Sequence, residues 1–142
     1  MNSVSISDSV FTIMHLYRLT MRSKLNASDI GLHSMHVKCL TFIDRNTVCT
    51  ANDIAVFFSR DKAQIARLIK EMIDKNWVNK VANPQDKRSQ LLSLTEQGKS
   101  LANLIADTQR DVQEKIQKNL STEELEEFKR VADIIANTLR ER

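Results

Sequence analysis

Glycine and proline are almost missing from this sequence: 142 residues contain two glycines and one proline. A fold with many strands needs many tight turns, and these residues are the usual material for them. Extensive β structure is therefore excluded, and the chain should be mainly helical. Cysteine is equally scarce. Cys39 and Cys49 do not make a disulfide framework, which agrees with an expected cytoplasmic setting where thiols stay reduced. No apolar run approaches the roughly 18–20 residues of a membrane span. The N-terminal stretch MNSVSISDSVFTIMHLYRL has no basic segment followed by a continuous apolar one, so no secretory signal is expected. The chain also lacks a Gly-rich phosphate loop, a metal-ligand cluster and any nucleophile–base pair at recognisable spacing. His15, His33 and His36 are its only histidines. Nothing here points to an enzyme, and no cofactor or metal is expected.

The residues that are present make 42% of the chain hydrophobic and 27% charged. That is enough to bury a core, and residues 1–142 read as a single domain. The net charge of +3 is modest, but its distribution is not even. Residues 60–99 hold nine basic and five acidic side chains, a net +4. A local positive field of this kind suits an anionic partner such as nucleic acid.

Along the chain, Val10, Ile13, Met14, Tyr17, Met21 and Leu25 recur at helical intervals over 8–25. Phe11, Leu16 and Leu19 widen the apolar surface beyond one stripe, so this helix must bury more than one side. Ser7 or Asp8 would cap it. Residues 26–31 break the pattern, and a second helix follows with Leu32, Val37, Leu40 and Ile43 in register. His33 and His36 in its first turn read as solvated polar residues, because two histidines without a third ligand make no metal site. Cys39 beside the Leu40 stripe reads as a small buried hydrophobe.

Residues 47–49 are a scrap of strand. Thr50 and Asp53 then form a capping-box-like start to a helix of about two turns. Ser59 and Arg60 end it, and Asp61 with Gln64 makes a second such start. The next helix, 61–75, sets Ile65, Leu68, Ile69, Met72 and Ile73 on one face and Lys62, Gln64, Arg67, Lys70 and Glu71 on the other. Two helices joined by so short a turn resemble a helix-turn-helix, whose second helix enters the major groove. Gln can read adenine and Arg guanine through paired hydrogen bonds. The alternative is an ordinary helical hairpin with a wet, charged face.

Asn76 can take the left-handed position that ends a helix. Residues 77–81 and 89–94 read as two strands around a turn-rich basic loop, Ala82-Asn83-Pro84-Gln85-Asp86-Lys87-Arg88. A helix-turn-helix followed by a hairpin with a basic tip is a winged helix. The expected fold is therefore mainly α with a small β-hairpin wing. Thr95 would cap a helix over 96–118, striped by Leu101, Leu104, Ile105, Val112 and Ile116. Ser121 and Glu124 box the start of the last helix, where Leu125, Phe128, Ala132, Ile135 and Leu139 form a heptad seam.

From about Leu32 to Gly98 the sequence resembles the MarR family of bacterial winged-helix regulators. Asp86-Lys87-Arg88 stands where that family has its D-x-R wing signature, and Leu94-Thr95-Glu96-Gln97-Gly98 where it has LT-x-x-G. Two positions depart from the pattern: Asn76 replaces a usual glycine, and the Phe57-Phe58-Ser59 turn lacks one. The resemblance implies a winged-helix lobe over 32–98 and dimerisation helices over 8–26 and 99–142. It implies double-stranded DNA as partner, read by Arg60, Lys62, Gln64, Arg67 and Lys70 on the recognition helix and by Asp86, Lys87 and Arg88 on the wing. Arg88 would enter the minor groove and Asp86 would orient the wing by pairing with a basic side chain. Read from the residues alone, Asp86 is instead a turn residue bonding its own backbone. Val10, Phe11, Met14, Leu125, Phe128, Ile135 and Leu139 would build a homodimer.

The function expected is a sequence-specific transcriptional regulator, a repressor, that binds an inverted-repeat operator as a homodimer. The resemblance also implies release by a small anionic or phenolic effector. The alternatives are a winged-helix interaction module that binds no DNA, and a regulator that senses oxidation through Cys39 or Cys49.

Overall fold

The computed structural model describes residues 5–141, residue 28 by its backbone alone. The described residues form α1 (Ile6–Leu25), α2 (Ala27–Ile30), α3 (Ser34–Arg45), α4 (Ala51–Phe57), α5 (Lys62–Asp74), β1 (Val78–Ala82), β2 (Gln90–Leu94), α6 (Glu96–Gln117) and α7 (Thr122–Arg140). The expected class, mainly helical with one antiparallel hairpin, is what forms. The chain divides into two compact units, one running through Thr108 and the other from Gln109 onward, so the division falls within α6.

In the first unit the core comes from α3, α4, α5, the hairpin and the start of α6. Leu40, Ile54, Ile65, Ile69, Met72, Val78 and Ile105 are its most buried large side chains. Each such side chain contributes about 1.5–3 kcal/mol on leaving water. The sheet pairs Val78 with Leu94, Lys80 with Leu92 and Ala82 with Gln90. Segment 47–49 adds less than a strand: the Leu92 N–H donates to the Cys49 carbonyl at 2.8 Å, and Thr50 bridges Leu91.

Local chemistry sets the element ends. α1 begins earlier than expected, because Ser5 caps it by accepting from the Asp8 N–H at 3.1 Å. The break at 26–31 opens with Asn26 in the left-handed region, contains the one-turn α2 and closes with Gly31 at φ +67°. The capping box of α4 is complete: the Asp53 N–H donates to Thr50 Oγ1 at 3.2 Å, and the Thr50 N–H donates to Asp53 Oδ2 at 2.9 Å. Reciprocal bonds of this type are worth about 0.5–2 kcal/mol per helix end.

The hairpin and α6 meet at the LT-x-x-G segment. The Thr95 hydroxyl donates to the Asn76 carbonyl at 2.6 Å and accepts from the Gly98 N–H at 2.9 Å. A Cβ at position 98 would lie 1.9 Å from the Trp77 carbonyl oxygen. The glycine is therefore required by backbone contact.

In the second unit, Ser121 and Glu124 form the expected capping box at 2.9 and 3.1 Å. Lys129–Asp133 and Arg130–Glu127 pairs line the polar side of α7. α7 buries none of its described residues.

Candidate nucleic-acid interface

α5 is held by its inner face and left open on its outer one. Ile65, Ile69 and Met72 are buried, while Lys62, Gln64, Arg67 and Lys70 are exposed. The helix starts one residue later than expected, at Lys62, capped by Asp61 accepting from the Ala63 N–H at 3.5 Å. The reciprocal box with Gln64 does not form. Gln64 instead lines a surface hollow of about 280 Å³ with Arg60, Arg67 and Glu71 and the apolar Met35, Ile65 and Leu68. Of the five residues expected to contact DNA from the recognition helix, the structure thus gathers Arg60, Gln64 and Arg67 around one recess. Lys62 lies at the start of the helix and Lys70 on its exposed surface.

The turn between α4 and α5 works without glycine because Ser59 takes the left-handed region at φ +52°. The Arg60 N–H then closes back on the Ala55 carbonyl at 2.9 Å. Such a residue is strained by about 1–2 kcal/mol. α5 ends as expected. Asn76 sits at φ +64°, with its N–H on the Ile73 carbonyl and the Trp77 N–H on the Met72 carbonyl, both at 2.9 Å. This is the Schellman pattern with Asn in the glycine position.

The wing tip is shaped by two short polar side chains. Asn83 Oδ1 accepts from the Gln85 N–H at 3.0 Å, and Asp86 Oδ1 accepts from the Arg88 N–H at 2.9 Å. Asp86 therefore orients the wing through a backbone bond, the turn role, and not by pairing with a basic side chain as the resemblance implied. Lys87 and Arg88 are exposed at the tip. Among the described residues, Arg60, Lys62, Arg67, Lys70, Lys87 and Arg88 make no salt bridge.

The expectation for His36 is also overturned. His36 is not solvated; it is fully buried. Its Nδ1 accepts from the His33 N–H at 3.0 Å, capping α3, so its Nε2–H faces Glu71 Oε2 at 2.9 Å. Trp77 meets the ring edge-on at 5.6 Å. Burial pulls the His36 pKa below its ordinary value; the bond to Glu71 opposes this only in part. Sequence reasoning missed this pair because its members lie 35 residues apart. Glu71 in the polar stripe of the helix was the only available signal.

The cysteines lie far from reactive conditions. Cys39 and Cys49 are both fully buried, and burial raises each thiol to about 11. A thiol held protonated is a poor nucleophile and a poor oxidation target, which weighs against the oxidation-sensing alternative.

The residues expected at a dimer interface divide between the units. On α1, Val10 and Phe11 are exposed and Met14 is half-buried; Ile6, Ile13, Leu16 and Leu19 are exposed beside them. On α7, Phe128 and Leu139 are 60% and 78% exposed, with Leu125 and Ile135 half-buried. So many large apolar side chains left in water on one helix mark an association surface more often than an ordinary solvated face.

The arrangement described here is a winged helix: an exposed polar helix set by a helix-turn-helix, followed by a hairpin with a basic tip. The MarR family model matches residues 32–90, and over this part the chain is similar to that family. It is 32% identical over 62 residues to the HTH-type transcriptional regulator BilQ of Clostridioides difficile (strain CD3). That match takes in 44% of this chain and 42% of BilQ, so less than half of that relative's length is covered. The fold extends further. A crystal structure of MarR superposes with a TM-score of 0.79 at 19% identity, covering 98% of this chain and 93% of that one. A variant of MepR from S. aureus gives 0.75 at 21% identity, covering 96% and 99%. An E. coli MarR variant complexed with operator DNA gives 0.70 at 19%, covering 93% and 99%. No helix among the described residues is long and apolar enough to cross a membrane.

Proposed function

We propose that the chain is a sequence-specific DNA-binding regulator of transcription that represses as a homodimer. The observation that carries this is a set of basic side chains that form no salt bridge among the described residues, Lys62, Arg67 and Lys70 on α5 and Lys87 and Arg88 on the wing. A basic group with an internal partner must give it up to bind phosphate; these have none to give up. α5 carries base readout through Lys62, Gln64 and Arg67, while the wing contacts backbone and minor groove. The operator complex of the E. coli MarR variant supports this reading. The winged-helix lobe is residues 32–98. Residues 8–26 and 99–142 associate two copies, and a two-fold dimer then sets its reading helices roughly 34 Å apart on an inverted repeat. Release by a small anionic or phenolic ligand belongs to the same reading.

Selection of genomic fragments by the purified protein, followed by gel shift, tests it. Saturable binding to fragments sharing an inverted repeat is the expected result. Binding that is equal for all sequences, or absent, overturns it and leaves the interaction-module reading.

A further inference from the structure

α5 carries its own competitor for DNA. Glu71 follows Arg67 by four positions, the spacing at which opposite charges on a helix pair, and it lines the same hollow as Arg67 and Arg60. Its side chain is 53% exposed, so it can swing toward either guanidinium. Among the described residues it pairs with neither and is bonded to His36 alone. Its Oε2 is held at 2.9 Å by His36, which reaches it from α3.

His36 is fixed for this task. The bond from the His33 N–H to Nδ1 makes that nitrogen an acceptor, so in the neutral ring the proton sits on Nε2, facing Glu71. Burial keeps the ring neutral, and Trp77 at its edge limits its rotation. The tautomer, the orientation and the donor thus follow from one helix cap.

We propose that His36 is a positioning residue for DNA reading: by holding the Glu71 carboxylate it keeps the Arg67 guanidinium, and Arg60 across the hollow, available to DNA. The inference rests on the reading of α5 as the DNA-contacting helix. Without His36, Glu71 would turn to the arginines, and a negative charge would face the incoming phosphates.

Two substitutions separate the two ends of the imidazole. His36→Asn keeps an acceptor near Nδ1 for the α3 cap but cannot reach Glu71. His36→Gln keeps a donor near Nε2 but loses the cap. An exposed helical pair and one misplaced charge are modest effects, so H36N should weaken operator binding about fivefold at neutral pH. H36Q should bind within about twofold of wild type. Adding Glu71→Gln to H36N should restore affinity, because no carboxylate remains to capture Arg67. In an Arg67→Ala background, H36N should lose most of its effect.

H36N binding like wild type overturns the inference. So does a loss that E71Q fails to rescue or that persists in R67A, since His36 would then act through folding alone. If H36N does not fold, the surface variant E71Q decides: the Arg67 side-chain ¹⁵N resonances of the free protein should not move, and a shift showing an Arg67–Glu71 pair in wild type overturns it. If the wild type selects no sequence, the DNA reading itself fails and this inference falls with it, whereas a wild type that selects while H36N matches it condemns the inference alone.

Discussion

At the scale of single residues, the chain depends on a few positions where chemistry or space leaves no substitute. Gly98 is the clearest. Its N–H caps onto Thr95, and any Cβ would run into the Trp77 carbonyl. Gly98→Ala should remove about 3 kcal/mol or more and lower the thermal midpoint by roughly 10 °C, because the blocking atom is backbone and cannot step aside. Unchanged melting would refute this. His36 gives stability a pH dependence. The folded chain holds the ring neutral, with its pKa below the ordinary 6.5, chiefly through burial. The Glu71 bond raises the value, and the charges of His33 and Lys75 lower it. Below pH 6.5 the unfolded chain therefore takes up the proton first. The stabilisation is complete above pH 6.5 and is lost as the pH falls from there through the folded value. Urea midpoints at pH 7.5, 6.5 and 5.5 should decline with acidification in wild type, and the decline should be smaller in H36Q. Equal slopes would remove His36 from the account.

At the scale of elements, the helix-turn-helix and the wing are built by different means. α5 is placed by burial of Ile65, Ile69 and Met72, so its outer face is free to be polar. The wing has no core of its own at its tip, where Asn83 and Asp86 shape the turn by bonding backbone N–H groups. A contact carried by such a tip is electrostatic and adds to binding without deciding much of the sequence. Arg88→Ala should weaken binding to operator and to unrelated DNA alike and lower the salt slope by about one. A loss confined to the operator, with an unchanged slope, would instead assign Arg88 to base reading.

At the scale of the whole molecule, the apolar residues left in water are the main unresolved demand of the fold. α1 exposes Phe11 at 62%, and α7 exposes Phe128 and Leu139. In the homodimer proposed above, a second copy of the chain would cover them and set the spacing of two readers. Phe128→Asp should shift the protein from dimer to monomer in sedimentation at micromolar concentration, with helix content retained. Cooperative binding to a two-half-site operator should fall with it. A variant that stays dimeric would take Phe128 out of the interface. Because α7 buries none of its described residues, this substitution tests association with little risk to folding.

Much of this was legible in the sequence, for local physical reasons. Helical periodicity, the Thr50–Asp53 and Ser121–Glu124 boxes, the left-handed Asn76 and the turn-rich loop at 82–88 all depend on residues within a few positions of each other. Scarce glycine and proline excluded a larger sheet. The basic stripe of α5 was visible because burial of one helical face exposes the opposite one. Only the tertiary structure decided the remainder. Two histidines three apart looked like solvated neighbours, and the fold buried one of them and joined it to a carboxylate 35 residues away. A capping box expected at Gln64 gave way, and Gln64 lined a hollow with Arg60 and Arg67 instead. The motif glycine at 98 had a recognisable place in the sequence, but its cause, a carbonyl oxygen from a separate segment, lay in the packing. Spacing along a chain records contacts within a turn or two; contacts between segments are set by the core that brings them together, and the electrostatics of the outer face of α5 depend on that second kind.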